Sequence, residues 1–482
     1  MKISDIIFAE ECILSLAGED LEFNSIVTDP NNAKSDSLLI IPNSEKIKYD
    51  PELSAAPVAV ICDAKCVLPD NIPTIRVENP RLAMANAYFR FEKISTEKIR
   101  FIGITGTNGK SSTALFIKTV LSQCGHKVGL IGTGRIEIDG RLISDPHYSM
   151  TTPDPALLYR SIKRMETEGC DTIVMEVSSH ALALDKVAPI CFDYAVFTNF
   201  SSEHIDFHGS IEEYFIAKSK LFERCKCGVF NIDDEKARQA YSVCKARRLS
   251  AGIIWRGDVW ASNIENRGFD GIGYLYHGRS FSFKMNLRLA GIYNAYNSML
   301  AATVCIDIGC KPCDVKRILS EISSIPGRFE IINDRISVII DYAHTDSAFD
   351  NVMKELSSVK GDKRLTVVFG CGGNRDRTKR PRMAAIAEKY ANRIIITSDN
   401  SRSEDTKDII SDIIRGFKRG NYEVIENRRD AIRAALLCAD DGDVVAIIGK
   451  GPEKYNIDSN GYSDFDEKKI VMSALEERRV VR

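Results

Sequence analysis

Long apolar runs are the first thing missing from this 482-residue chain. No stretch approaches the ~18 consecutive apolar residues that a membrane-spanning helix needs. An excess of one charge is missing too: 65 Lys and Arg stand against 67 Asp and Glu, a net of −2. Nucleic-acid and anionic-membrane binders present a basic face, so neither class of partner is expected. The N-terminal stretch MKISDIIFAEECILSLAGED carries acidic residues where a secretory signal carries cations, and its apolar run is broken. The 14 cysteines make no framework; CKC (225–227) and CIDIGCKPC (305–313) lack zinc-ligand spacing and partner histidines. Internal repeats and low-complexity segments are absent. These absences leave a soluble cytoplasmic protein with reduced thiols as the expectation. Its 44% hydrophobic content suffices for real cores, and its length suggests about three domains.

What the chain does have is FIGITGTNGKSST at 101–113. The run 101–104 predicts a short buried strand, and the following STALFIKTVLSQCG has apolar residues at helical spacing. A strand, a glycine loop and a helix form a phosphate cradle, in which backbone N–H groups and the helix N-terminus favour an anion. Lys110 adds a full cation, and Ser111 offers a hydroxyl to magnesium. The spacing departs from G-x-x-x-x-G-K-[ST], which would place a glycine at Ile104 rather than Gly103. A glycine-rich turn without a ligand is the competing explanation.

The pattern divides the chain at about 92 and 324. Residues 1–92 contain the strand-like runs SIVTD, SLLIIP, PVAVICD and TIRVE, then a helix with Asn79 as cap and Pro80 in its first turn. EKISTEK (92–98) reads as a linker. Residues 93–324 alternate strands and helices around the phosphate loop, with TIVMEV (172–177) and YAVFTNF (194–200) as buried parallel-type strands. Residues 250–290 read as an antiparallel insert. From 325 to 482, SVIIDYAH, LTVVFGCGG, RIIITSDN and DVVAIIGKG are strands running into polar or glycine loops, where open α/β sheets bind ligands.

Three groupings carry chemistry. Glu176 ends one buried strand and His204 follows another; with Ser111 they could hold magnesium beside a triphosphate. In SIEEYFIAKSKLFERC a capping box, Ser210 with Glu213, opens a helix that puts Lys218 on the same face as Ile211, Tyr214, Phe215, Leu221 and Phe222. Such a lysine either snorkels to water or is desolvated, with a neutral and reactive amine. The third grouping suits an amino-acid ligand. GCGGNRDRTKR (370–380) has four cations, SDNSRSED (398–405) sets Arg402 beside Asn400, and GKGPEKY (449–455) carries Glu453. Arginines clamp carboxylates and an acid holds an ammonium.

Taken in order, FIGITGTNGKSST, MEVSSHALAL, FTNFSSEHIDFHG, NAYNSMLAA, PGRFE, DYAHT, FGCGGNRDRTKRPRM, TSDNSRSED and GKGPE resemble the Mur ligase family. They are most similar to its MurE type, the UDP-N-acetylmuramoyl-tripeptide synthetases. The resemblance implies an α/β protein of three domains. A small N-terminal α/β domain (1–92) would bind the UDP substrate, and a central P-loop ATPase-like parallel sheet (93–324) would bind ATP. A C-terminal Rossmann-like α/β domain (325–482) would bind the amino acid.

The implied reaction is ATP-dependent extension of UDP-N-acetylmuramoyl-L-alanyl-D-glutamate by a diamino acid, through an acyl phosphate, in a monomer. By position, Thr107, Asn108, Gly109, Lys110, Ser111 and Ser112 would hold the ATP phosphates. Asn297 would meet the adenine, Arg328 the phosphates and Asp341 the ribose. Ser111, Glu176, His204 and Lys218 would hold magnesium, Lys218 as a carbamate. Lys110, Lys218 and His204 would be catalytic. Thr151, Thr152, Ser178 and Lys186 would contact the UDP-muramoyl dipeptide, and Arg375, Asp399, Asn400, Arg402, Gly449 and Glu453 the incoming amino acid.

The chain departs from the family pattern at four places. DNSR replaces DNPR but keeps Arg402, which favours meso-diaminopimelate over L-lysine or another diamino acid. Pro452 replaces a histidine in GKGPE, and Lys186 replaces an arginine. TDPNNAKSDSLLIIP replaces the usual D-S-R and G-D-L-F pattern, so a paralogue acting on another carboxylate carrier is the alternative reading. A GTPase would need N-K-x-D, to which NRRD (427–430) is the nearest approach. A folylpolyglutamate-synthetase-like ligase would usually have its phosphate loop near the start.

Overall fold

A computed structural model describes residues 1–6, 13–16, 20–47, 49, 55–145 and 147–481. Three parallel-rich sheets organise the chain. The first has the order Ile13–Leu16, Thr74–Val77, Ala59–Cys62, Ser37–Ile40, Ser25–Val27, with only the first pair antiparallel. The four strands read from the sequence are all present, although residues 48 and 50–54 of the short loop lie outside the described residues. Helix Pro80–Phe91 starts as expected: the Asn79 side chain accepts a hydrogen bond from the Leu82 N–H at 3.1 Å.

The second sheet has 11 strands, and its parallel centre runs Arg247–Gly252, Cys225–Asn231, Phe192–Phe197, Arg100–Thr105, Thr172–Glu176, Val128–Gly132. Alternate residues of the central strands feed two cores. Phe101, Ile173, Met175 and Phe197 face one side; Ile102, Ile104, Val174 and Val196 face the other. On the second side, helix Lys110–Gln123 packs against helix Ile292–Ile308. The antiparallel pairing expected at 250–290 is present, but the segment is joined to the main sheet. Its strands Val259–Asn266, Ile272–His277 and Ser282–Leu287 extend the sheet edge through Ala251 and Val259, because Ala261, Tyr274, Tyr276 and Met285 bury one face in that same core. The sheet is therefore mixed at its ends rather than wholly parallel.

The third sheet runs Glu330–Asn333, Ser337–Asp341, Val444–Ile448, Leu365–Phe369, Arg393–Ile396, Tyr422–Val424, antiparallel only at its first pair. NRRD is a helix start and not a base-reading motif. The Asn427 side chain accepts from the Arg429 and Asp430 N–H groups, and Arg428 is buried against Glu467 at 2.6 Å. Among the described residues, no helix is long and apolar enough to cross a membrane.

Candidate active site

The phosphate-type loop follows Arg100–Thr105, the strand lying between Phe192–Phe197 and Thr172–Glu176, where the connections diverge to opposite sides. Gly103 is not part of it. It sits inside the strand, where an added Cβ would lie 2.8 Å from the Phe192 ring. The loop proper is Gly106–Gly109, which explains the irregular glycine spacing. Gly106 (φ +142°) leaves no room for a side chain, since a Cβ would stand 1.9 Å from Thr198 Oγ1.

Thr198 and Asn199 hold this loop. The Thr107 N–H donates to the Asn199 backbone carbonyl and the Asn108 N–H to Asn199 Oδ1, both at 2.9 Å. Thr198 Oγ1 donates to the Asn108 carbonyl at 2.6 Å. Gly109 (φ +83°) begins helix Lys110–Gln123, which has no side-chain cap. The first-turn amides of Lys110, Ser111 and Ser112 are thus aimed along the helix dipole with no intrahelical acceptor. Lys110 Nζ folds back onto the Gly106 and Thr107 carbonyls at 2.9 Å each.

Glu176 reaches the loop from the end of its strand. Ser111 Oγ donates to Glu176 Oε2 at 2.9 Å, and the Thr133 N–H donates to Oε1 at 2.9 Å. Gly132 makes this possible, because a Cβ there would stand 2.3 Å from Oε1. Arg328 Nη2 donates to Ser111 Oγ at 3.2 Å, bringing the third sheet's leading segment to the loop. Asp341 fixes that segment by accepting from the Phe329 N–H at 2.6 Å and the Ala343 N–H at 2.7 Å. Asp341 and Asn297 are buried behind the open cleft; Asn297 Oδ1 lies against Gly109, 2.4 Å from where a Cβ would stand.

Lys218 is 2% exposed, so it does not snorkel. Its Nζ donates to the Gly106 carbonyl at 2.9 Å, sharing that acceptor with Lys110, and lies 4.4 Å from the Tyr214 ring centre. Burial, with the Lys110 ammonium beside it, pushes the Lys218 amine well below its ordinary range. The helix carrying it, Ile211–Ser219, has only half of the expected capping box: Ser210 Oγ accepts from the Glu213 N–H at 3.1 Å, while Glu213 is exposed.

His204 begins the next short turn at φ +57°. Burial, then Lys110 and Lys218, lower its pKa to about 4, so its ring is neutral at pH 7 and able to ligate a metal. His180 packs edge-on to it at 4.9 Å, and His208 Nε2 meets Ser179 Oγ at 3.0 Å.

Thr151, Thr152, Ser178, Lys186, His204, Lys110 and Lys218 line one cleft. Thr152 Oγ1 donates to the Glu176 carbonyl at 2.9 Å and accepts from the Ser178 N–H at 3.0 Å, while Thr151 Oγ1 meets Thr133 Oγ1 at 3.0 Å. Lys186 pairs with Asp154 at 2.6 Å, so the cation in the usual arginine's place already has a partner.

The three C-terminal loops converge as anticipated, but with a different cation count. Of the four cations in 370–380, three are used internally. Arg380 is fully buried on Asp412 and Glu404, Arg377 binds Asp412, and Lys379 donates to the His344 carbonyl. Arg375 remains exposed at the surface, and partial desolvation, then the nearby Arg402 guanidinium, disfavours its charge. Arg402 Nη1 donates to the Gly373 and Asn400 carbonyls at 3.0 and 3.2 Å. Asn400 Nδ2 donates to Glu453 Oε2 at 2.8 Å, and Gly449 (φ +127°) abuts Asp399.

Several residues that bear on the site escaped the sequence reading. Thr133 follows a strand in a plain G-T-G, and Thr198 and Asn199 stand in the strand run YAVFTNF. Glu203 and His344 flank the cleft with Tyr342, each inside a quoted motif but with no distinguishing spacing. Lys450 stands between two glycines in GKG and is 0% exposed. A lysine between glycines carries no periodicity, so its burial had no signal.

Family models match two parts of the chain: the Mur ligase middle domain over 104–305 and the Mur ligase glutamate ligase domain over 327–451. A UDP-N-acetylmuramoyl-L-alanyl-D-glutamate–2,6-diaminopimelate ligase of Caldanaerobacter subterraneus subsp. tengcongensis is 38% identical over 467 residues, 95% of this chain and 96% of that protein. The corresponding ligase 1 of Clostridium acetobutylicum is 39% identical over 84% of each chain. A solved structure of a ligase of the same name aligns with 95% of each chain at a TM-score of 0.65 and 27% identity. A Mycobacterium tuberculosis folylpolyglutamate synthase complexed with ADP and AMPPCP shares the fold, at a TM-score of 0.65 and 19% identity over 76% of this chain. Sequence relatives, domain matches and fold agree, and the chain belongs to the Mur ligase family of ATP-dependent ligases.

Proposed function

We propose that the chain joins the γ-carboxylate of UDP-N-acetylmuramoyl-L-alanyl-D-glutamate to an amine of meso-diaminopimelate, at the expense of ATP, in the cytoplasm and as a monomer. The relatives named for this reaction support it. The observation that carries it is the convergence of two chemistries in one chain: a phosphate cleft lined by Lys110 and Arg328, and an Arg375/Arg402/Glu453 cluster.

Phosphate groups would meet the amides of Lys110, Ser111 and Ser112, with Lys110 swinging from its loop carbonyls onto the transferring phosphoryl group and Arg328 approaching from the third sheet. The D-Glu carboxylate would lie against Thr152, Ser178 and Lys186 and attack the γ-phosphorus of ATP; the bond to the β-phosphate oxygen breaks, ADP leaves, and an acyl phosphate forms. The free amine then attacks the acyl carbon, and phosphate leaves. Negative charge concentrates at both steps, and cations fixed in advance stabilise it without reorganisation.

Ser111, Glu176 and His204 fit magnesium, which takes few protein ligands and completes its shell with phosphates and water. Among the described residues no three His, Cys, Asp or Glu side chains form a preformed cluster, as that mode of binding requires none. When bound, magnesium would neutralise phosphate charge. Lys218 adds to this donor set only after modification: its neutral amine attacks carbon dioxide, loses a proton, and becomes an anionic carbamate. An ammonium could not do so, and the depressed Lys218 amine supplies the required form.

Gly109→Ala tests the nucleotide assignment. The left-handed backbone costs a side chain about 1–2 kcal/mol, and the Cβ would press on Asn297. The KM for ATP is expected to rise about tenfold, with the amino-acid KM unmoved. An unchanged ATP KM would contradict the cradle.

A further inference from the structure

Among the buried charges that the mechanism leaves unused is Lys450. Lys450 follows strand Val444–Ile448 and is completely enclosed, and its Nζ donates to Asn400 Oδ1 at 2.6 Å. The same oxygen accepts from the Ile457 N–H at 3.0 Å. Two donors on Oδ1 leave the amide one orientation, with Nδ2 turned to Glu453 Oε2 at 2.8 Å. Lys450 Nζ also lies 3.6 Å from Asp399 Oδ1 and 3.7 Å from Glu453 Oε2. Behind it, Arg428 is buried on Glu467 and donates to the Ile448 carbonyl at 3.0 Å.

Two cations, Lys450 and Arg428, thus face three carboxylates, Asp399, Glu453 and Glu467. Glu453 is the most exposed of these carboxylates.

We infer that Lys450 is a positioning residue for the amino-acid pocket: it locks the Asn400 amide so that Asn400 orients Glu453 toward an ammonium group. The inference rests on the amino-acid assignment above and goes beyond it, because the enclosed Lys450 acts on Asn400 and not on the amino acid itself. Without Lys450, Asn400 Oδ1 keeps only the Ile457 N–H, so the amide that aims Nδ2 at Glu453 is held by one hydrogen bond in place of two.

The test is steady-state kinetics of the full chain on Lys450→Met, Asn400→Ala, their double variant and Asn400→Asp, with folding checked by thermal melting. Lys450→Met is expected to raise the KM for the diamino acid about tenfold, with kcat and the ATP KM within about twofold of wild type. In the Asn400→Ala background the same change should add less than about twofold, since the lysine acts through the amide. Asn400→Asp keeps the acceptor for Lys450 and Ile457 but removes the donor to Glu453, so it should also raise that KM about tenfold even if Lys450→Met does not fold. Additive effects in the cycle, or Asn400→Asp with a wild-type amino-acid KM, would overturn the inference while the ligase reading stood. A wild-type chain that turns over no amino acid would overturn both.

Discussion

Lys218→Ala is expected to bind ATP normally yet turn over at least ~10³-fold more slowly, the scale of losing a principal electrostatic element from a transition state. The amine sits under the loop on the Gly106 carbonyl, where burial lowers its pKa, and close enough to Lys110 to share its acceptor. Its proposed value lies in the anionic carbamate. A methyl group in its place leaves a cavity that a small carboxylate can enter, so acetate or formate should restore part of the activity to Lys218→Ala and none to wild type. A purely structural lysine would lower stability, and no added acid would repair turnover. Undiminished activity would refute the role altogether.

Arg402→Ala should raise the KM for meso-diaminopimelate on the order of 10²-fold, and the KM for L-lysine by less than about threefold. The second carboxylate is the sole difference between the two ligands, and a charge-assisted hydrogen-bond pair contributes about 1.5–3 kcal/mol. The Arg402 backbone stands at φ +54°, and its Nη1 is fixed on the Gly373 and Asn400 carbonyls. Arg375 stands close enough to feel its charge, across a Gly372 whose added Cβ would lie 3.1 Å from Arg402 Nη1. Two adjacent guanidinium groups are poised for a carboxylate. Equal effects on both amino acids would argue that Arg402 holds the loop and not the ligand.

Much of this was legible in the sequence because it follows period and punctuation. Central strands such as Thr172–Glu176 are continuous apolar runs, and the phosphate loop is a strand, glycines and a helix in order. Lys218 betrayed itself by standing on an apolar helix face. Pairwise contacts between distant segments left no such trace. That Gly103 belongs to the strand depends on Phe192, which follows it by 89 positions. That three of four cations in 370–380 are internal depends on Asp412, Glu404 and the His344 carbonyl. The edge strands at 259–287 looked like an insert because nothing local says that Val259 will pair beside Ala251. Lys450 likewise has no pattern around it, only a buried neighbour 50 residues away.

The central claim is tested most directly by phosphate release from ATP with UDP-N-acetylmuramoyl-L-alanyl-D-glutamate, across meso-diaminopimelate, L-lysine, D-lysine, L-ornithine and lanthionine. Turnover is expected with meso-diaminopimelate ahead of the others, which would also show that the altered first sheet accepts the uridine carrier. Silence across the whole panel, from protein that still binds ATP, would contradict the assignment and point to a ligase acting on a different carboxylate.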